Sequence, residues 1–246
     1  MMCKKSFHAG FFALVLSFCG FVAQNLGAAG AVNYKAIFAH GLGGKKDFGQ
    51  YYGPLMGCPI IGENGPEWDK SKYWTGVGPG KSCLAQQGDI DVVVKQIEAN
   101  QKDNLILFGV SKGAATVLNT VGYLAENKPE YLKNIKAVIA DAPFAKPENV
   151  AAQMVGNIAS GFWGRVGAKV MYPHYEITGI TPYKAVTQMW ANSVVDRNMV
   201  VTFIHGRGDR LISINDSRCL YIELKKLGYK NVYLLEVTRY MDHGQA

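Results

Sequence analysis

Short apolar runs alternate along the chain with segments in which apolar residues recur at helical spacing. The runs are nearly continuous, as expected for strands buried on both faces of a sheet. They span 35–40, 58–61, 105–110, 135–141, 199–205 and 231–237. Helical spacing occurs over 84–101, 112–128 and 214–228. Because parallel neighbouring strands need crossover helices, the pattern predicts an α/β fold with a mostly parallel six-stranded sheet flanked by helices.

Two long segments interrupt this alternation. Residues 45–82 are rich in Gly, Pro, Tyr and Trp and are predicted to run irregularly across the surface. Residues 146–198 lie between two predicted strands and contain amphipathic pieces. This second segment is too long for a plain crossover, so we expect a small helical cap over the sheet edge where ligands bind.

Residues 1–31 are predicted to be a signal peptide. Two lysines precede an apolar run at 9–23, and the small residues at 29–31 suit cleavage before Val32. We therefore expect an exported protein, periplasmic or secreted, with one domain over 32–246. The alternative is an uncleaved signal that anchors the chain in a membrane, although the apolar run is short for a span of roughly 20 residues.

Composition limits the number of domains and the classes of partner. The chain has 246 residues, of which 48% are hydrophobic and 18% charged, and this favours a single globular domain with a substantial core. The formal net charge is +7, but the basic residues are scattered, so nucleic acid is not an expected partner. No later segment is long and apolar enough for us to expect a membrane span in the mature chain.

The cysteine pattern predicts one disulfide and no metal site. Cys58, Cys83 and Cys219 follow the predicted signal peptide. In an oxidising compartment we expect Cys58 and Cys83 to pair across the loop region between them, with Cys219 left as a buried thiol on a helix. The spacing does not resemble a zinc site, and the sequence implies no metal or organic cofactor.

Ser111 is placed for nucleophilic chemistry. In GVSKG it follows the predicted strand 105–110 and precedes the predicted helix 112–128. A serine at a sharp strand-to-helix turn is held out from the backbone at the carboxyl edge of the sheet, and Gly109 and Gly113 leave room for that turn. The same short pattern also occurs in plain turns, so the interpretation needs partners elsewhere in the chain.

A glycine-rich loop after the first predicted strand supplies one such partner. The sequence HGLGG begins at His40, and its backbone N–H groups can bind an oxyanion. We predict that the N–H groups of Leu42 and Lys112 form a two-donor oxyanion hole, and that His40 braces the loop. The alternative is a simple glycine-rich turn.

A serine nucleophile needs a base to take its proton and an acid to orient that base. Asp209 follows the predicted strand 199–205, and His243 follows the predicted strand 231–237. We predict that His243 is the base and that Asp209 orients its imidazole.

Three other residues are weaker candidates. Asp141 ends a predicted strand and is the main alternative acid. His205 is interpreted as shaping the turn in which it lies rather than as the base. His174 lies in the predicted cap, where it either contacts substrate or sits on the surface.

The chain order Ser111, Asp209, His243, together with GVSKG and HGLGG, resembles the α/β-hydrolase superfamily over nearly all of residues 35–246. The DAPF sequence that begins at Asp141 is similar to the corresponding turn in prolyl-oligopeptidase-like and acylglycerol-lipase-like members. The resemblance implies a serine hydrolase that cleaves a carboxylic ester or related acyl bond of a small-molecule substrate through an acyl-enzyme. Two alternatives stay open: a serine peptidase acting on short peptides, and a non-catalytic binding protein of the same fold.

Overall fold

An all-parallel six-stranded sheet forms the centre of the computed structural model, which describes residues 34–63, 82–150 and 179–237, together with 153, 175 and 176. The strands are β1 (Tyr34–Ala39), β2 (Ile60–Ile61), β3 (Ser82–Cys83), β4 (Asn104–Val110), β5 (Ile135–Asp141), β6 (Tyr175–Glu176), β7 (Val200–Gly206) and β8 (Val232–Val237). The large sheet has the order β2-β1-β4-β5-β7-β8. Each of its pairings is parallel, which confirms the predicted sheet.

Three longer helices connect these strands, where the periodicity predicts them. They are α1 (Gln87–Ala99), α2 (Lys112–Asn127) and α3 (Ile214–Lys226). Shorter helical segments are Lys46–Tyr51, Gly53–Met56, Pro129–Asn134, Pro182–Lys184 and Ala185–Met189. The start of α3 is capped by Ser213, whose hydroxyl accepts the N–H of Asn215 at 3.3 Å. Beyond its end lies Gly228 with φ of 84°, a left-handed conformation that stops a helix at little cost.

Apolar side chains cover both faces of the sheet. On one face, Leu107 and Val138 of the strands pack with Leu118 and Val121 of α2 in a large buried cluster. On the other face, residues such as Phe108 belong to a second cluster. Strands with two covered faces cannot alternate apolar and polar positions, and this is the physical reason for the continuous apolar runs.

The end of the segment predicted to form a cap packs into the main core. Trp190 is fully buried, and its indole N–H donates to the Leu118 carbonyl of α2 at 3.0 Å. The hydroxyl of Tyr229 donates to the Trp190 carbonyl at 2.9 Å. Most of 151–178 lies outside the described residues, so the cap itself stays a prediction.

A second, two-stranded sheet was not predicted. Ser82 of β3 pairs with Tyr175 of β6 in parallel, and Cys83 pairs with Glu176. Strands of two residues carry no periodic signal in the sequence.

The segment between 45 and 82 also differs from the expected irregular course, because it is helical over Lys46–Tyr51 and Gly53–Met56. Residues 64–81 lie outside the described ranges.

The predicted disulfide between Cys58 and Cys83 is wrong, because Cys58 is a free thiol. It packs against the apolar cluster on the Phe108 face of the large sheet, and burial raises its pKa. The backbone of Cys83 belongs instead to the small sheet. Cys219 is a free thiol on α3, as predicted, although it is half-buried rather than buried.

Candidate active site

Ser111 adopts a backbone conformation that is rare for a residue with a side chain. It lies between β4 and α2 with φ of 56° and ψ of −117°, outside the regions that such residues normally occupy. Its N–H donates to the Asp141 carbonyl at 2.7 Å, and its carbonyl accepts the N–H of Ala115 at 3.1 Å. Neighbouring elements therefore hold the turn in place. The half-exposed Ser111 sits at the sharp strand-to-helix turn that the sequence predicts.

Two glycines allow the backbones around Ser111 to come together. A Cβ atom on Gly113 would overlap the carbonyl oxygen of Ala39 in β1, and one on Gly109 would overlap the carbonyl oxygen of Gly113. The first turn of α2 is thus pressed against both β1 and β4. Only residues without a side chain permit this approach, which agrees with the predicted role of both glycines.

The loop that follows β1 lies against the serine. A Cβ atom on Gly41 would be 3.4 Å from the Ser111 Cβ and 4.0 Å from its Oγ. The Gly41 carbonyl accepts two hydrogen bonds, from His40 Nδ1 at 2.8 Å and from the Gly44 N–H at 2.9 Å. Since N–H and C=O point in opposite directions in a trans peptide, the Leu42 N–H points away from this turn. His40 is 3% exposed and braces the loop, as predicted.

The side chain of Lys112 forms a buried ion pair that sequence reasoning missed. Its Nζ lies 2.8 Å from Asp89 Oδ1, and the two side chains are 3% and 4% exposed. The other oxygen of Asp89 accepts the N–H of Ala85 at 3.0 Å, where Ala85 has φ of 58°. The sequence did contain a signal for a buried lysine, because Lys112 directly follows the serine at the start of an apolar helix.

A cavity lies beside this ion pair, between β1, α1 and α2. Phe38, His40, Asp89, Gln96 and Lys112 contribute to its lining. Ser111 does not line this cavity, so it is not the space in which a substrate would meet the serine.

Asp209 is held by the turn that follows β7. Its Oδ1 accepts the N–H groups of Leu211 at 2.8 Å and Ile212 at 2.9 Å. Its side chain is only 3% exposed, and Oδ2 lies 3.4 Å from His205 Nε2. Backbone N–H donors of this kind orient a carboxylate and stabilise its charged form.

Asp141, the alternative acid, has a different environment. Burial raises the pKa of its carboxyl group well above the ordinary 3.8, and the negative charge of Asp209 raises it further. Its Oδ1 is buried and has no hydrogen-bond partner among the described residues. This environment disfavours the charged form of Asp141, whereas an acid that stabilises an imidazolium must be charged.

His205 is enclosed by the fold. It is fully buried, with Nδ1 at 2.7 Å from the Ser217 hydroxyl and Nε2 at 3.0 Å from the Ile212 carbonyl. The carbonyl can only accept, so Nε2 carries a proton and donates it. With both ring nitrogens engaged, His205 shapes the turn, as its sequence context predicts.

The topology brings the candidate residues to one edge of the sheet. Ser111 follows β4, Asp141 ends β5, and Asp209 follows β7, in three adjacent parallel strands. Strand β8 pairs with β7 and leaves the sheet at the same edge, where the Arg207 N–H donates to the Val237 carbonyl at 2.9 Å. His243 comes next in the chain but lies outside the described residues, as does His174.

Two negative findings apply to the described ranges only. Within them, no three His, Cys, Asp or Glu residues are grouped so that they could hold a metal ion. None of the helices there is long and apolar enough to cross a membrane.

Comparison with solved structures identifies the fold. An esterase of Pyrococcus furiosus matches with a TM-score of 0.58 and 17% identity, over 87% of this chain and 75% of the esterase. A monoacylglycerol lipase of Paleococcus ferrophilus matches with a TM-score of 0.50 and 19% identity, over 85% of each chain. An acylaminoacyl peptidase of Pyrococcus horikoshii matches with a TM-score of 0.54 and 17% identity, over 88% of this chain but only 34% of the peptidase.

A scan against protein-family models gives no match, and neither does a comparison with curated protein sequences. The structural matches, the parallel sheet order and the flanking helices together show that this chain has the α/β-hydrolase fold, as its sequence predicts. At this level of identity the likeness concerns the fold alone, and it does not determine which reaction the site catalyses.

Proposed function

We propose that the protein is a serine hydrolase that cleaves carboxylic esters or related acyl bonds. The backbone of Ser111, with φ of 56° and ψ of −117°, carries this proposal. Strained backbone persists where the surrounding structure enforces it, and it concentrates at functional sites. A serine in a plain turn would need neither this conformation nor the close approach of Gly41.

The proposed reaction has two stages. Ser111 Oγ attacks the carbonyl carbon of the substrate while His243 takes the hydroxyl proton, and the resulting oxyanion binds the N–H groups of Leu42 and Lys112. His243 then returns the proton to the departing alkoxide, which leaves an acyl group on Ser111. Water, deprotonated by the same imidazole, hydrolyses that acyl-enzyme and regenerates the serine.

Asp209 is the proposed orienting acid, and the contrast with Asp141 supports this choice. Its Oδ1 is fixed by two backbone N–H groups. Asp141 is buried and its pKa is raised, so its environment disfavours the negative charge that would favour an imidazolium.

The solved structures that match this chain favour ester substrates over peptides. Matches to an esterase and a monoacylglycerol lipase extend over most of both chains, whereas the acylaminoacyl peptidase is covered only in part. Short p-nitrophenyl esters compared with aminoacyl arylamides would separate these two activities. Faster turnover of the arylamides would move the assignment to a peptidase.

The test of the mechanism is a set of three variants. Ser111→Ala should abolish labelling by a fluorophosphonate probe and lower kcat for ester hydrolysis by about 10⁶-fold. Asp209→Asn should lower kcat by about 10⁴-fold, because the imidazole loses its orienting charge. Asp141→Asn is the matched control at the adjacent strand and should retain most activity, since its buried site already disfavours the charge that the amide removes.

The reverse ranking of the two aspartates would transfer the acid role to Asp141. Full activity together with probe labelling in Ser111→Ala would overturn the proposed function. A folded wild-type protein without turnover or labelling would instead favour a non-catalytic binding protein.

We also propose that the protein is exported and that the mature chain begins at Val32. The small residues at 29–31 after an apolar run support cleavage there. N-terminal sequencing of the exported protein should begin at Val32. A sequence that starts at Met1 would instead support an uncleaved membrane anchor.

A further inference from the structure

The peptide backbone at Ile212 is held from two sides. Its N–H donates to Asp209 Oδ1 at 2.9 Å, next to the N–H of Leu211 at 2.8 Å. Its carbonyl accepts the ring N–H of His205 Nε2 at 3.0 Å. Ile212 is only 1% exposed, so water does not compete for either bond. The direction of the Asp209 carboxylate therefore depends on a backbone that His205 holds.

Two elements fix the imidazole of His205. It belongs to β7, where it pairs with Glu236 of β8. The ring is fully buried, and Nδ1 lies 2.7 Å from the Ser217 hydroxyl on α3. Because Nε2 carries the proton that binds the Ile212 carbonyl, Nδ1 of the neutral ring accepts the hydroxyl proton of Ser217. The strand thus sets the position of the ring, and the helix sets which nitrogen donates.

The same ring lies against Asp209 itself. His205 Nε2 is 3.4 Å from Asp209 Oδ2, whereas the N–H groups of Leu211 and Ile212 bind Oδ1. His205 therefore reaches both the carboxylate and the turn around it. A shorter side chain at this position would leave the Ile212 carbonyl buried without its donor, which has a cost that the turn can relieve only by moving.

We propose that His205 is a positioning residue for the acid of the proposed triad. It fixes the backbone at Ile212 and borders Asp209 Oδ2, and so holds the carboxylate in the direction in which it orients the imidazole of the base. This inference rests on the proposed function. His205 itself transfers no proton to or from the substrate, so its whole effect on the reaction passes through Asp209.

A matched pair of amides separates the two contacts of the ring. The side-chain nitrogen in His205→Gln reaches the position of Nε2 and can still donate to the Ile212 carbonyl. The side chain in His205→Asn is one methylene shorter and reaches only the position of Nδ1, beside Ser217. We expect kcat for a p-nitrophenyl ester to fall about 10²-fold in His205→Asn with KM unchanged, and His205→Gln to recover most of this loss.

A double variant shows whether His205 acts through Asp209. In the Asp209→Asn background there is no carboxylate charge left to orient, so adding His205→Asn should lower kcat by no more than about twofold further. A residue that merely stabilises the fold would lower kcat by the same factor in both backgrounds. All kcat values are measured well below the unfolding temperature of the least stable variant, so that each refers to folded protein.

Two further variants lie on the elements that hold the ring. Thr202→Val in β7 removes a fully buried hydroxyl that has no hydrogen-bond partner among the described residues, and kcat should stay at the wild-type level. Ser217→Ala in α3 keeps the imidazole and suits a helix, so it tests the network even if the His205 variants do not fold. Its kcat should fall about fivefold, because the ring loses the bond that sets its tautomer.

Three results would overturn the positioning role. They are equal kcat in His205→Asn and His205→Gln, an undiminished loss when His205→Asn is added to Asp209→Asn, and wild-type kcat in folded Ser217→Ala. In each case, turnover and fluorophosphonate labelling of the wild type would still support the hydrolase. A folded wild type without turnover or labelling would instead overturn the proposed function, and the positioning role with it.

Discussion

Lys112 has two distinct roles to play at the candidate active site. Its backbone N–H is a proposed oxyanion donor, and its ammonium group is buried against Asp89 at 2.8 Å. Burying two charges has a large desolvation cost, which the attraction between them offsets only while both are present. Asp89 also holds Ala85 in a left-handed conformation, so the pair links the turn at Ser111 to the loop before α1.

Lys112→Met should lower the free energy of unfolding by about 3–5 kcal/mol, because it leaves the Asp89 carboxylate buried without its partner. Adding Asp89→Asn to this variant should restore part of the loss, since the amide oxygen is neutral and still accepts the Ala85 N–H. Urea unfolding of both single variants and the double variant measures this coupling.

The ion pair between Lys128 and Glu98 serves as the control. Its side chains are 37% and 35% exposed, so water screens the charges in both the folded and unfolded chain. Lys128→Met should change stability far less than Lys112→Met does. Similar losses in the two variants would show that burial does not decide the strength of the Lys112 pair.

At the level of elements, α2 is the helix on which the candidate site depends. It is buried along most of its length and packs against β4, β5 and the helical segment Ala185–Met189. Two of its glycines face different kinds of neighbour. Gly113 faces the backbone of β1, whereas Gly122 faces the side chains of Ala185 and Met189.

Gly113→Ala should destabilise the protein by about 3 kcal/mol or more, since the backbone of β1 cannot move aside. It should also abolish labelling by a fluorophosphonate probe, because the turn that carries Ser111 would shift. Thermal unfolding and labelling of the purified variant test both effects.

Gly122→Ala is the comparison within the same helix. The new Cβ would lie 3.0 Å from the Ala185 Cβ and 3.1 Å from the Met189 sulfur, and the methionine side chain can adjust. Alanine also favours a helix by about 1 kcal/mol over glycine. The net change in stability should therefore be within about 1 kcal/mol, and labelling should persist. A larger loss in Gly122→Ala than in Gly113→Ala would contradict this account of α2.

Across the whole molecule, a buried polar network joins segments that are far apart in sequence. Asn119 of α2 donates to the carbonyls of Ala85 at 2.7 Å and Ile180 at 3.0 Å. The side chain of Gln86 accepts the N–H of Gly179 at 2.8 Å and donates to the Ile180 carbonyl at 3.3 Å. The end of the predicted cap segment is thereby tied to the helix that begins after Ser111.

Local pattern was sufficient for much of this architecture. The six apolar runs predicted the strands of the large sheet, and GVSKG predicted the turn at Ser111. Both follow from short-range physics. A strand buried on two faces is apolar throughout, and a tight strand-to-helix turn needs glycines on either side. The proposed triad of Ser111, Asp209 and His243 was likewise inferred from residues that directly follow strands. It stays a prediction.

Tertiary structure alone decided the rest, because the relevant residues are brought together by folding. No spacing relates Lys112 to Asp89 or Asn119 to Ile180, since such pairs depend on how helices and loops pack around the sheet. The same holds for the raised pKa of Asp141, which arises from burial and from the negative charge of Asp209 at the adjacent strand end. The predicted Cys58–Cys83 disulfide was wrong for this reason too. Two cysteines can pair only where the fold places them together, and Cys58 instead packs as a free thiol against the large sheet.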